Sequence, residues 1–504
     1  MTPGSSEGVT RGDVARGAGL AGLARLTALI EALAQPLYTW LFGLAGYGLY
    51  VTLWGAVNLV SNVVDFSMTS ALQRAVPAET SEERAHAAVK LALLVALIPS
   101  TLIAAAVSWN AETIAAFVSA APEDRAGLPR AIALFAWALP LWTFVEVATS
   151  AARARRAFGP EIRLRLFWEQ IARILFALGF VLLGFDSLGL VLAHLASLTL
   201  TAGLCIPLLA RYYSARLLLT ARIEPRAAAS LIGSGLALLP ASVSRRLLID
   251  APPVILNLML PGTRGAVAAG LFEIARKIAT VPLIVRQAFQ YVMAPLASAQ
   301  AAADRAEIAP LYRFACRVST ALVVPLAGLL VFAGADILSV YRPEAMAALP
   351  LLYILVSARA AEAIVGPATP IVEMTGHRVL PLVNSIAAVA LWLALALLLV
   401  PEQGALGMAI AVAAATLLAA WAATLELQIA DRLSPFDARL LRGLAVALAG
   451  VALMAGAEAL LQGPARFAAV LLAWAAASWA ALRWGLVRPD REALGGFARR
   501  LRLV

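Results

Sequence analysis

Apolar runs of membrane-crossing length alternate with short polar links along almost the whole chain. A hydrocarbon core about 30 Å thick takes roughly 20 residues of helix, and windows of that size fall at 18–43, 47–74, 87–108, 131–151, 168–185, 188–210 and 228–250. The pattern continues at 252–260 with 265–298, then 311–333, 346–373, 380–400, 404–429, 441–460 and 465–485. It predicts an all-α polytopic membrane protein with about 14 transmembrane helices. The seventh and eighth windows meet at Pro252 and Pro253, which mark either a kink or a turn. The first window is preceded by a polar segment, 1–17, without a signal-peptide layout, so the first span is expected to stay uncleaved.

Composition agrees with that pattern: 62% of residues are hydrophobic and 14% charged, too few to surface a soluble domain. Basic residues then choose an orientation, because positive loops stay on the cytoplasmic side. With both termini cytoplasmic, 27 of the 40 Lys and Arg fall in inside segments. Five fall in outside links, namely Arg125, Arg130, Arg264, Arg342 and Arg466. The bias is strongest at 153–165 and in the tail beyond Arg483, and an even span count keeps both clusters on one side. The net charge of +10 is thereby topological, with attraction to anionic membrane lipids and no nucleic-acid partner implied. No link is longer than about 25 residues, which leaves no room for a soluble catalytic domain. Walker A loops, GxSxG elbows and metal-ligand spacings are missing, and His86, His194 and His377 stand singly. Neither an enzyme nor a metal or cofactor site is expected. Cys205 and Cys316 read as small core residues.

The two halves of the chain echo each other at an offset of about 222 residues. Gly48-Leu49-Tyr50 is set beside Gly270-Leu271-Phe272, each opening a long apolar helix, and Leu188-Gly189-Leu190 resembles Leu406-Gly407-Met408 six spans later. A six-helix offset preserves direction through the membrane, so the repeat is parallel and its pseudo-twofold axis lies along the membrane normal. The expected organisation is an N-terminal segment (1–17), an N-lobe (18–225), a C-lobe (226–432), two further helices (433–486) and a cytoplasmic tail (487–504).

The stretch from Gly46-Tyr47-Gly48-Leu49-Tyr50 to Asp65-Phe66 and Ala71-Leu72-Gln73-Arg74, its echo from Gly270 to Pro295, and the Gly404-Ala405-Leu406-Gly407 entry resemble the MOP exporter superfamily. Within it, the resemblance points to the Wzx-type polysaccharide flippases, with lipid II flippases and MATE exporters as relatives. It covers roughly 18–485, with Ser67 where the family usually has glycine. The resemblance implies a two-lobed transporter of the inner (cytoplasmic) membrane that moves an undecaprenyl-pyrophosphate-type lipid-linked oligosaccharide for surface polysaccharide synthesis, alongside polymerase or assembly proteins.

Eight basic residues lie inside spans: Arg25, Arg173, Arg245, Arg246, Arg276, Lys277, Arg286 and Arg359. Each costs about 2.5–3.5 kcal/mol at a helix centre, so such residues face a wet cavity or a partner. Arg25, Arg245, Arg246, Arg276, Lys277, Arg286 and Arg359 are the candidate cavity residues. Guanidinium binds phosphate oxygens bidentately and keeps its charge when desolvated. Arg25 maps by the offset to position 247, beside Arg245 and Arg246, so both lobes offer guanidinium at similar depth. The alternative is purely structural pairing, since Glu273 with Arg276 or Lys277, Arg246 with Asp250, and Arg359 with Glu362 are spaced i,i+3 or i,i+4. Glu31, Asp65, Glu146 and Glu373 are weaker candidates for ion coupling, and Asp65 also suits a helix cap. Prolines inside spans, Pro36 and Pro240 among them, offer bends for gating. Two other functions compete: a MATE-like drug/cation antiporter, expected to have twelve spans and an acid-dominated cavity, and a membrane glycan polymerase or ligase, whose catalytic outer loop finds no histidine in 109–130.

Overall fold

The computed structural model describes residues 28–157, 159, 162–186, 188–285, 308–374 and 379–503, and every regular element among them is helical. Lipid offers no hydrogen-bond partners to a backbone, and the helix satisfies its N–H and C=O groups within one segment. The principal helices are α1 (Ala28–Val64), α2 (Met68–Ala78), α3 (Glu82–Trp109), α4 (Leu128–Phe135), α5 (Ala138–Ala154), α6 (Glu169–Leu182), α7 (Gly189–Tyr212) and α8 (Pro225–Met259). They continue as α9 (Thr263–Ile278), α10 (Ile308–Phe332), α11 (Leu349–Val365), α12 (Ala368–Met374), α13 (Leu380–Gln403), α14 (Ala405–Ala430), α15 (Ala438–Leu460) and α16 (Gly463–Ala480). Eleven helices among the described residues are long and apolar enough to cross a membrane; α1 counts once among them, and α6 and α9 are shorter than a span.

Two boundaries differ in detail from the apolar pattern. Windows one and two correspond to two helices within α1 that meet at a kink, and the break falls at Gly43 itself, whose φ of 73° and ψ of 164° redirect the chain. Only glycine adopts that backbone conformation without a steric penalty. The second difference is at Pro252 and Pro253, which lie inside α8 and leave its helical course intact. The turn comes later, at Leu260–Gly262, with Gly262 at φ 59°, so residues 252–260 finish the seventh window rather than begin the eighth. Packing on α1 holds that helix together through the two missing N–H donors.

The fold turns the soluble pattern inside out. Leu102, Leu398 and Leu472 are more than 60% exposed, whereas Thr39, Ser61, Thr143, Ser150, Glu169, Arg173 and His194 are buried. Large apolar side chains facing outward fit a lipid surround, and the chain is a multi-pass membrane protein. One apolar cluster is built from α2, α3, α5 and α7, and another from α10, α12, α14, α15 and the C-terminal segment. A larger one joins both halves through α1, α8 and α9. At its centre Gly48 and Gly270, the pair set together by the repeat, touch: a Cβ on Gly48 would lie 1.8 Å from the Ala266 carbonyl oxygen, and one on Gly270 2.9 Å from that of Leu44. Leu44 and Ala266 are themselves 222 residues apart, so each contact is the other's counterpart under the same offset.

Candidate functional site

The close approach at these glycines puts α1 alongside α9, and Gly55, whose added Cβ would meet the Asp250 carbonyl oxygen at 2.7 Å, does the same for α8. Between these helices and α5 and α6 is a cavity of about 250 Å³. Tyr47, Tyr50, Trp54 and Asn58 line it from α1, Trp142 from α5, Glu169, Gln170 and Arg173 from α6, Arg246 and Asp250 from α8, and Glu273, Arg276 and Lys277 from α9. Arg165 completes it from a π-helical turn, Ile162–Trp168, ahead of α6. The wider π turn changes the register in which side chains leave the helix, and the Arg165 guanidinium sits 4.5 Å from the centre of the Trp142 ring. Five cations and three carboxylates thus face one space, contributed by both halves of the chain.

The charges are interlocked. Arg276 donates from Nε and Nη2 to the two Glu273 oxygens at 2.7 and 2.5 Å, with Lys277 Nζ 3.9 Å from the same carboxylate. Arg246 reaches Asp250 at 3.4 Å and, across to α5, Glu146 at 3.9 Å; Glu146 also receives Arg165 at 3.4 Å and the Ser61 hydroxyl at 3.4 Å. Arg173 pairs with Glu169 and donates to the Tyr50 hydroxyl at 2.9 Å, while Gln170 donates to the other Glu169 oxygen at 2.9 Å. Behind this network His194 is fully buried, 3.6 Å from Glu169 and packed against Trp54 with ring centres 4.2 Å apart. A guanidinium has five N–H donors, more than one carboxylate consumes. Aromatic faces flanking such donors present surfaces for the apolar face of a sugar ring.

Of the sequence candidates, Arg246, Arg276 and Lys277 line the cavity, and Glu146 stands just behind it. Arg245 does not: one residue along α8, about 100° around the helix, it falls on the exposed face. Arg359 pairs with Glu362 at 2.7 Å and is not among the lining residues. Arg25 and Arg286 lie outside the described residues, and Glu31 and Glu373 belong to α1 and α12 with side chains that are likewise outside them. Asp65 accepts from the Ser67 amide at 2.8 Å and the Thr69 hydroxyl at 3.1 Å, which fixes the turn just ahead of α2; the N-cap of that helix is Ser67, with no side-chain cap bond. The i,i+3 and i,i+4 pairs expected of Glu273, Asp250 and Glu362 all form, so pairing and cavity lining are compatible at two of the three. Sequence reasoning passed over Arg165, assigned to a polar link, and left Arg173 and Glu169 out of the site. The i,i+4 spacing of Glu169 and Arg173 inside an apolar window was a signal that pointed to them.

The family model for polysaccharide biosynthesis proteins matches residues 41–341, more than half of the chain and all of the cavity. No curated protein sequence matches the chain. Among solved structures, the lipid II flippase MurJ in an inward closed conformation aligns with a TM-score of 0.71 at 10% identity, over 91% of this chain and 98% of that one. An inward-facing multidrug resistance MATE family transporter of the MOP superfamily aligns at 0.62 and 15% identity, over 84% and 94% of the two chains. The Vibrio cholerae MATE transporter VcmN in its bent form gives 0.57 and 14%, over 84% and 98%. The chain shares its fold with these transporters and flippases. The chain belongs to the polysaccharide biosynthesis protein family and has the MOP-superfamily exporter fold.

Proposed function

We propose that the chain is a flippase that carries a polyprenyl-pyrophosphate-linked oligosaccharide across the cytoplasmic membrane by alternating access, for surface polysaccharide synthesis. The observation that carries this reading is the convergence of Arg165, Arg173, Arg246, Arg276 and Lys277 on one aromatic-walled cavity between the halves of the chain. A pyrophosphate needs several charge-assisted donors at once, and sugar units beyond it need flat apolar faces. At about 250 Å³ the cavity is at or below the lower end of ligand pockets, about 300–1,000 Å³. An oligosaccharide therefore requires a more open state. The N-lobe, 18–225, and C-lobe, 226–432, are the units that rock, with both termini cytoplasmic, the prenyl tail left in lipid and the headgroup delivered to a polymerase outside.

The test is export of surface glycan in cells carrying the paired replacement Glu273→Gln with Arg276→Gln, which removes both charges without stranding either. Loss of one charge-assisted contact, about 1.5–3 kcal/mol, predicts a roughly ten- to hundredfold fall in transport at unchanged protein level. Undiminished export would remove the cavity from the mechanism. A second reading, a drug/cation antiporter, is favoured by the fold shared with MATE transporters. The cation excess of the cavity weighs against it, and drug sensitivity of a deletion strain with intact surface glycan would decide for it.

A further inference from the structure

Well away from the cavity, the C-terminal segment builds a second cationic depression, of about 480 Å³, from Arg442, Arg483, Trp484, Arg488 and Arg491. Its construction begins with two glycines. Gly443 of α15 and Gly485, at the end of the π turn that follows α16, approach so closely that a Cβ on Gly485 would meet the Gly443 Cα at 2.9 Å. This brings the neighbouring Arg442 and Arg483 together. The other two arginines are fixed by a buried anchor: Arg317 of α10 donates to both Asp490 oxygens, at 2.6 and 3.1 Å, and to Asp437 at 3.0 Å. Asp490 is fully buried and sits in the short helix Arg488–Ala493, so the anchor holds Arg488 and Arg491 against the bundle.

The local carboxylates are already engaged, Asp437 and Asp490 by Arg317 and Glu492 by Arg488 at 2.7 Å. Among the described residues Arg442, Arg483 and Arg491 have no carboxylate within salt-bridge distance, and the buried Nε of Arg491 has no hydrogen-bond partner. Burial, and behind it the charges of Arg483, Arg488 and Arg442, lower the proton affinity of Arg491, with the Glu492 carboxylate opposing them only in part.

We propose that this depression binds the phosphate of an anionic phospholipid headgroup, with the acyl chains lying on the exposed apolar face of α15. Three observations favour a lipid over free phosphate. The depression lies where the apolar helices α15 and α16 meet the polar tail. Trp484 is exposed beside it and edge-on to Trp479, the aromatic arrangement common at a membrane interface. Along α15 from Arg442, Val446, Ala449 and Leu453 follow on the same face of the helix, Leu453 more than half exposed, an apolar track on the side of the guanidinium.

The test uses the purified full-length chain in detergent, with phosphatidylglycerol or phosphatidylcholine added and retained lipid read by native mass spectrometry. Wild type should retain phosphatidylglycerol preferentially, and the triple variant Arg442→Gln, Arg483→Gln, Arg491→Gln should lose that preference roughly tenfold or more. A charge-matched control, Arg216→Gln, Arg226→Gln, Arg264→Gln, alters exposed positions elsewhere and should keep it; the cavity arginines are intact in both. Equal retention of the two lipids by wild type, an unchanged preference in the triple variant, or an equal loss in the control would each overturn the proposal. Displacement of bound lipid by millimolar inorganic phosphate would show a free-phosphate site and overturn it too. Should the triple variant fail to fold, Arg442→Gln alone, an exposed side chain outside the Arg317 anchor, must weaken retention measurably or the proposal falls.

Discussion

Glu169 shows what one residue does inside this bundle. It is buried, and it receives Arg173, Gln170 and, at 3.4 Å, the Ser197 hydroxyl. Two ions taken out of water are tolerable only as a pair, because removing one leaves the other uncompensated at a cost of about 3–5 kcal/mol. Glu169→Ala should therefore lower the thermal midpoint of the purified protein markedly. The charge-free pair Glu169→Gln with Arg173→Gln should recover most of that loss while still impairing glycan export. A double variant as unstable as the single one would mean that Glu169 acts through contacts other than Arg173. Arg165 differs, since its charge rests on the Trp142 face and reaches Glu146 at 3.4 Å. Arg165→Lys, which keeps the charge but loses the planar stack, should reduce export with little change in stability.

Among elements, α1 and α9 govern the site through small residues. Gly48→Ala puts a methyl 1.8 Å from a backbone oxygen that no rotamer change can move, whereas at Gly270 the corresponding distance is 2.9 Å. Both substitutions should destabilise the protein, Gly48→Ala the more, and thermal melts of the two variants check the order. Gly43 is constrained differently. The nearest atom to an added Cβ is 3.7 Å away, so space is available and the penalty of Gly43→Ala comes from its positive φ alone, about 1–3 kcal/mol.

For the whole molecule, contacts join the halves at one end, and in the proposed transport cycle they make up a closed gate. Ser119 and Asn257 exchange two hydrogen bonds, at 2.8 and 2.7 Å, and the Ser119 hydroxyl donates to the Leu260 carbonyl. Trp40 donates to the Val340 carbonyl at 2.9 Å, and Tyr341 meets Gln35 at 3.3 Å. In the proposed orientation, with both termini cytoplasmic, this end lies outside. In the proposed alternating-access cycle these bonds must break for the cavity to open at this end, so Asn257→Ala should favour outward opening. A cysteine placed at cavity residue Asn58 then reports it: labelling by an impermeant maleimide from outside should rise several-fold, against a low background because Cys205 and Cys316 are buried. Unchanged labelling would show that Ser119 and Asn257 do not gate.

The apolar periodicity by itself determined the all-helical membrane architecture, because lipid leaves a backbone no alternative to internal hydrogen bonding. Short-range spacing was equally legible: Glu273 with Arg276, Arg246 with Asp250 and Arg359 with Glu362 pair as helix geometry requires. The offset even singled out Gly48 and Gly270. Only the tertiary structure decided which charges share a space. Arg245 and Arg246 are neighbours in sequence and point apart on α8, while Arg165 and Arg276, 111 positions apart, face the same cavity. Pro252 and Pro253 stay helical because α8 is packed along α1, a constraint supplied by residues two hundred positions away. Helical periodicity is local and can be read from one segment; the direction of a side chain towards lipid or towards the cavity depends on what every other helix covers.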